Sequence, residues 1–215
     1  ITRRLDGVEI DELEVPKSAI ENAYDLVSAD VVEALQLSAS RIRQFQQKSL
    51  PESWVDFDEG YGELVNAVNR VGIYVPGGTA RFPSTVLMSA IPARVAGVRE
   101  IVITTNPGVD RGIHPVVLVA ADIAGVDRVF QIGGAQAVAA LAYGTETVPK
   151  VDMVCGPGGL FTTLAKKLVF GEVGVDGLYG PTETLVVADD SANSTLCAAD
   201  LLAQAEHDIL AKPVL

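Results

Sequence analysis

Arg70-Val-Gly-Ile-Tyr-Val-Pro-Gly-Gly78 is a short apolar run closed by proline and paired glycines. A run of that length, rich in β-branched residues and bounded by turn formers, reads as a buried strand over 71–75 that delivers the chain into a tight turn. The texture repeats downstream. Short apolar runs at 100–104, 128–131, 152–155 and 184–188 alternate with helical patterns at 84–96, 114–124, 134–143, 160–170 and 194–206. Such alternation predicts successive βα units and an α/β fold with a mainly parallel sheet. Crossovers between parallel strands are right-handed, so these strands are expected to point one way and to share one carboxyl-terminal rim.

Small residues gather at that rim: Pro76-Gly77-Gly78, Asn106-Pro107-Gly108, Gly133-Gly134-Ala135-Gln136 and Gly156-Pro157-Gly158-Gly159. Glycine lets backbone approach a ligand, and helix N-termini favour phosphate, so four such turns on one edge predict a ligand cleft rather than turn geometry alone. None of them is a GxGxxG, and the ordinary dinucleotide fingerprint is absent.

Upstream, apolar residues recur with helical period from Ile20 to Phe45 without Pro or Gly, which predicts one long helix over 17–47 or two end to end. Residues 50–62 have turn composition and form a connector with room for a hairpin. The chain has 215 residues, 48% hydrophobic and 20% charged, enough to bury a substantial core in one or two domains. Its net charge of -12 disfavours nucleic acid and anionic membrane surfaces and leaves a small molecule as the expected partner. No apolar run reaches the ~20 residues of a spanning helix, and the opening residues lack a signal-peptide core, so a cytoplasmic protein is expected. The sequence begins at Ile1 without an initiator methionine and closes on Lys212-Pro-Val-Leu215, which reads as the start of a strand and gives the look of a cut polypeptide.

Few residues offer chemistry. His114 precedes Pro115 at a helix start and is expected to be structural or solvated. His207 closes Gln204-Ala-Glu-His207, and the spacing of three puts Gln204 and His207 on one helix face. An amide oxygen and an imidazole converging there make half of an open zinc site. A histidine at a helix C-terminus also serves as a dipole-complementing cap, and spacing alone leaves both roles open. Gly180-Pro-Thr-Glu-Thr184 sets the Thr182 hydroxyl and the Glu183 carboxylate in a turn. Tyr74 and Gln136 flank glycine turns on the rim, where an aromatic face and an amide suit a nucleotide or equally suit packing. Cys155 ends a strand beside Gly156 with no basic partner near it in sequence, which makes it a buried thiol before a nucleophile.

Taken in order, residues 70–78, Pro83-Ser-Thr-Val-Leu-Met88, Ile91-Pro-Ala-Arg-Val-Ala-Gly97, Gly133-Gly-Ala-Gln-Ala137, Leu141-Ala-Tyr-Gly-Thr145, Gly180-Pro-Thr-Glu183 and Asp200-Leu-Leu-Ala-Gln-Ala-Glu-His207 resemble the N-terminal half of histidinol dehydrogenases. The resemblance implies an α/β homodimer of incomplete Rossmann-like domains with mainly parallel sheets, preceded here by a long N-terminal helical segment. It implies one Zn2+ per site and oxidation of L-histidinol to L-histidine through histidinal, by two successive hydride transfers to NAD, the last step of histidine biosynthesis. On matching positions Tyr74, Gln136 and the turn residue Gly159 would contact NAD, Thr182 would contact substrate, and Gln204 with His207 would bind zinc and, through it, substrate. Domains are expected at 1–70 (helical segment and connector), 71–181 (Rossmann-like, NAD-binding) and 182–215 (the start of a returning zinc and substrate domain).

Two positions depart from the family pattern: Gly159 stands where Asn is usual, removing a dinucleotide contact, and Thr182 stands where Ser is usual, keeping the hydroxyl. Family members are about twice as long, and their Glu-His acid/base pair and remaining zinc ligands lie beyond the position of Leu215, so no catalytic acid or base is expected within these residues and the chain alone is expected to be inactive. The competing readings are a zinc and NAD dehydrogenase of another small alcohol, such as a sulfonated diol, and a noncatalytic dinucleotide-binding domain.

Overall fold

The structure is a computed structural model that describes residues 2–5, 7–77, 81–108 and 112–215, with the side chains of Leu5 and His207 left out. Gly78, part of the first glycine turn, lies outside the described residues, as does the His207 side chain.

The helices α1 (Thr2–Leu5), α2 (Lys17–Ala23) and α3 (Ala29–Lys48) come first, a 3-10 turn at Tyr24–Leu26 separating the last two. The expected helical segment is therefore two helices end to end. A hairpin of β1 (Trp54–Asp56) and β2 (Tyr61–Glu63) fills the connector. Then follow β3 (Arg70–Val75), α4 (Pro83–Val95), β4 (Glu100–Thr105), α5 (Pro115–Ala124), β5 (Arg128–Phe130), α6 (Gly134–Tyr143), β6 (Met153–Cys155), α7 (Leu160–Val169) and β7 (Gly174–Val175). The chain closes with β8 (Glu183–Leu185), α8 (Ser194–His207) and β9 (Lys212–Val214).

The main sheet has five parallel strands in the order β5-β4-β3-β6-β7. After β3 the chain moves outward through β4 to β5, then returns to the other side of β3 as β6, which is the doubly wound arrangement of a dinucleotide-binding half. The expected α/β class and parallel sheet hold. One strand differs: the run at 184–188 is expected on the shared rim, but β8 pairs with β9 in a separate two-stranded sheet. The fifth strand of the main sheet is β7, only two residues long and without an apolar run to announce it.

Why these strands are central follows from their burial. From their second residues onward β3 and β4 are buried throughout, the pattern of strands covered on both faces. Val71, Ile73 and Val75 join one core with Leu87, Ile91, Leu118 and Val119 of α4 and α5, on which α2 and α3 also pack. Tyr74, Val102 and Val154 join the other core with Val138 and Leu141 of α6 and Ala165 of α7. Gly72 belongs to this second face, and a Cβ there would stand 2.8 Å from the Leu141 side chain, so α6 sits this close because the residue is glycine.

Ion pairs mark the amino-terminal edge of the sheet. Arg70 pairs with Glu100, Arg94 with Asp127 and Arg128 with Glu14, three of these residues being the first of β3, β4 and β5. The segment carrying Glu14 lies along the free edge of β5, with Val15 N–H donating to Val129 and Gln131 N–H to Leu13, which covers an edge otherwise open to aggregation.

The docking of α2 on α5 is secured by the Tyr24 hydroxyl, which donates to Asp122 at 2.6 Å. Burial and the Asp122 carboxylate push this phenol up to about 12. A folded pKa above the unfolded value near 10 means that the contact stabilises fully below pH ~10 and is lost as pH rises through about 12. Thermal unfolding from pH 9 to 12 is expected to show a falling Tm in the wild type and a shallower fall in Tyr24→Phe; parallel curves would remove Tyr24 from the account.

Candidate functional site

Among the described residues, one cleft lies on each side of β3 at the carboxyl-terminal rim. The first, of about 340 Å3, lies between the ends of β3 and β4 and is lined by Gly77, Arg81, Thr105, Asn106, Gly108 and His114 among others. The second, of about 460 Å3, lies between the ends of β3 and β6. It is the second that occupies the point where strand order reverses, the place at which open α/β sheets bind ligands. Its walls are Pro76 after β3, Ser84, Thr85 and Met88 of α4, Pro157, Gly158 and Gly159 after β6, Tyr179 to Thr182, and Gln204 and Asp208 of the α8 end.

This cleft brings together Gly159, Thr182 and Gln204, three residues singled out from sequence and separated by up to 45 positions. Gly159 is the N-cap of α7, with ordinary β-region backbone (φ -66°, ψ -178°) and no side-chain cap bond. A Cβ there would meet nothing within 4 Å, so the position faces open space. Among the described residues, the N-caps of α4, α6 and α7 (Phe82, Gly133 and Gly159) make no side-chain cap bond. By contrast α5, beside the first cleft, is capped by His114, whose Nδ1 accepts from Val116 N–H at 3.3 Å. Burial and the Arg81 charge hold this imidazole below its usual pKa, in keeping with a neutral acceptor and with the structural role expected of it.

Tyr74 and Gln136 lie on the same face of the sheet. The Tyr74 ring is only 5% exposed and packs in the core beneath α6. Its hydroxyl donates to Asn106 Oδ1 at 3.3 Å and accepts from Gly134 N–H at 3.2 Å, in the first turn of the helix that carries Gln136. Tyr74 therefore fixes the β5 to α6 turn, and its aromatic face is spent on the core. Gln136 is half-buried at the start of α6, its side chain folded back over Gly134. Neither residue lines the switch-point cleft.

Sequence reading missed the network behind the β6 to α7 turn. Lys166 is 1% exposed, its ammonium donating to Gly156 O at 2.9 Å and to Asp176 Oδ1. Asp176 Oδ2 in turn accepts from Gly156 N–H at 2.8 Å, and the Tyr179 ring lies 5.3 Å from the ammonium. The signal was available: Thr162, Ala165, Lys166 and Val169 form the buried stripe of α7, so a lysine sits on an otherwise uncharged helix face. The setting of Cys155 favours the neutral thiol over the thiolate. Burial first, and then the Asp176 charge, push its thiol up to about 12, against a smaller opposing effect of Lys166.

The metal reading gains less. Gln204 is half-buried in the cleft wall on α8, and His207 is the last residue of the same helix. Among the described residues no group of three or more His, Cys, Asp or Glu side chains is close enough to hold a metal ion. The described side chains therefore do not complete a zinc site, which takes three or four protein ligands.

Comparisons with known proteins agree with one another. The family model described as histidinol dehydrogenase matches residues 1–215. The histidinol dehydrogenase of Synechococcus sp. is 50% identical over 219 residues, an alignment spanning 100% of this chain and 50% of the relative. That of Dehalococcoides mccartyi strain CBDB1 is 53% identical over 215 residues, covering 100% of this chain and 49% of its own. The crystal structure of histidinol dehydrogenase from Elizabethkingia anophelis matches with a TM-score of 0.92 at 35% identity, over 99% of this chain and 50% of that one. The chain thus spans about half the length of the curated relatives it matches.

Proposed function

The chain belongs to the histidinol dehydrogenase family, and from that premise we propose that it builds the NAD-binding side and part of the substrate side of an enzyme oxidising L-histidinol to L-histidine through histidinal. The observation that carries this reading is the cleft at the switch point of the sheet, where Gly159, Thr182 and Gln204 share one space beside the uncapped N-terminus of α7.

The cleft suits a dinucleotide. A helix N-terminus without a side-chain cap offers free N–H groups and the positive end of its dipole to a pyrophosphate, and Gly158 and Gly159 let the backbone come close. NAD, when bound, supplies the hydride acceptor for both oxidation steps. The chain's own residues have a positioning role: the α7 turn seats the phosphates, Tyr74 and Gln136 set the neighbouring α6 turn, and the Thr182 hydroxyl and Gln204 amide offer hydrogen bonds to the substrate's polar groups. Gln204 and His207 are proposed as two zinc donors on the strength of their spacing of three on one helix, which puts them on one face; among the described residues no group of His, Cys, Asp or Glu completes the set. Cytoplasmic location and a homodimeric assembly belong to the same proposal. No helix among the described residues is long and apolar enough to cross a membrane.

Gly159→Phe tests the reading. The backbone there is unstrained and the space is open, so the variant should fold, with Tm lowered only by the roughly 1 kcal/mol that replacing an N-cap glycine costs. The ring should block the cleft and weaken NAD+ binding by roughly tenfold or more in a calorimetric titration. Unchanged NAD+ affinity would place the cofactor elsewhere.

A further inference from the structure

We propose that Lys166 is a positioning residue for the cleft, holding the turn that seats the cofactor and the segment leading to the substrate side in one rigid unit. The inference rests on the functional reading above and adds a residue to it.

Burying an ammonium is unfavourable unless it is paired and hydrogen-bonded, and a stripe of α7 that is otherwise Thr162, Ala165 and Val169 would pack more simply on an apolar side chain. What the ammonium does there is specific. It holds Gly156 by its carbonyl, while its partner Asp176 holds the same residue by its N–H. Both backbone groups of Gly156, the residue opening the Gly156–Gly159 turn, are thus fixed by one ion pair. Ten residues on from Lys166, Asp176 starts the segment that runs through Tyr179 to Thr182.

Further ties run in parallel. The Tyr179 ring packs against the ammonium, and the Thr163 hydroxyl, one turn into α7, donates to the Tyr179 carbonyl oxygen at 2.5 Å and lies 3.3 Å from that of Gly158. Gly158, Gly159, Tyr179 and Thr182 all line the cleft, whereas the Lys166 side chain does not reach it. Lys166 therefore touches neither ligand and acts through the two walls that do. The arrangement matches the way residues behind a site fix the orientation of those that line it.

The test separates positioning from stability. Lys166→Met removes the charge at similar length and leaves Asp176 without its partner, so its Tm should fall. Lys166→Met/Asp176→Asn removes both charges, and the Asn amide oxygen still accepts from Gly156 N–H, so Tm should recover most of the loss. NAD+ affinity should not recover with it: with the Gly156 carbonyl unheld, calorimetry is expected to show binding weakened by roughly tenfold or more in the double variant. Affinity returning together with Tm would overturn the proposal, as would failure of both variants to fold, since either makes Lys166 a residue of the fold alone. Amide hydrogen exchange at Gly158 and Gly159 gives a readout without ligand, expected to quicken in the double variant. If wild-type chain binds no NAD+, the cofactor reading fails while exchange still decides on Lys166, and unchanged exchange rates would sink the positioning role.

Discussion

Gly156→Ala is expected to cost about 3 kcal/mol or more of stability and to abolish ligand binding in the switch-point cleft. Gly156 has φ +105°, a conformation L side chains rarely adopt, and an added Cβ would stand 2.1 Å from the Tyr74 carbonyl oxygen. Neither partner can yield cheaply. Tyr74 lies in β3 at the middle of the sheet, and Gly156 is held on both backbone groups by Lys166 and Asp176. Backbone strain and overpacking each contribute roughly 1–3 kcal/mol. Urea unfolding of the purified variant measures the cost, and a loss below ~1 kcal/mol would show that the turn is looser than the geometry states.

The second large effect is expected at the opposite edge of the sheet. The Arg94 guanidinium donates to the carbonyls of Val98, Arg99 and Gly125 and pairs with Asp127, whose carboxylate also accepts from Ile101 N–H. It ties the end of α4 to the turn after α5 and to the start of β4. Arg94→Ala removes the charged donor from these carbonyls and from Asp127, which keeps only the Ile101 N–H, for an expected loss of about 2–3 kcal/mol. Since the network lies at the amino-terminal edge, away from both clefts, NAD+ affinity of the folded fraction should stay within about twofold of the wild type. A large loss of affinity at unchanged Tm would contradict this division between a stabilising edge and a ligand-binding rim.

That division was partly legible in the sequence. Apolar runs such as 71–75 and 100–104 disclosed the central strands because burial on both faces leaves no polar residue to interrupt them. The glycine turns disclosed the rim, since positive φ and close approach demand that residue whatever the surroundings. β7 stayed hidden because two residues carry no pattern, and β8 was assigned to the wrong sheet because an apolar run does not state its partner. Of the residues expected at a site, Gly159, Thr182 and Gln204 line one cleft. The burial of Tyr74 was not foreseen, because an aromatic residue before a glycine turn reads alike whether its ring faces ligand or core. Lys166 was legible only as a lysine on the otherwise uncharged stripe of α7. Its partner Asp176 was missed because an ion pair is a property of two segments, and an aspartate in a turn alone looks like a solvated charge.

The central claim is that NAD+ is bound at the switch point between β3 and β6. Titration of NAD+ into the 15N-labelled chain, followed by amide resonances, tests it most directly. Saturable shifts are expected, concentrated at Gly158, Gly159 and the first turn of α7, with smaller ones at Thr85 and Gln136, and further shifts near Thr182 and Gln204 when L-histidinol is added. Shifts confined to the cleft of Arg81 and His114, or no saturable shift at any of these positions, would contradict it.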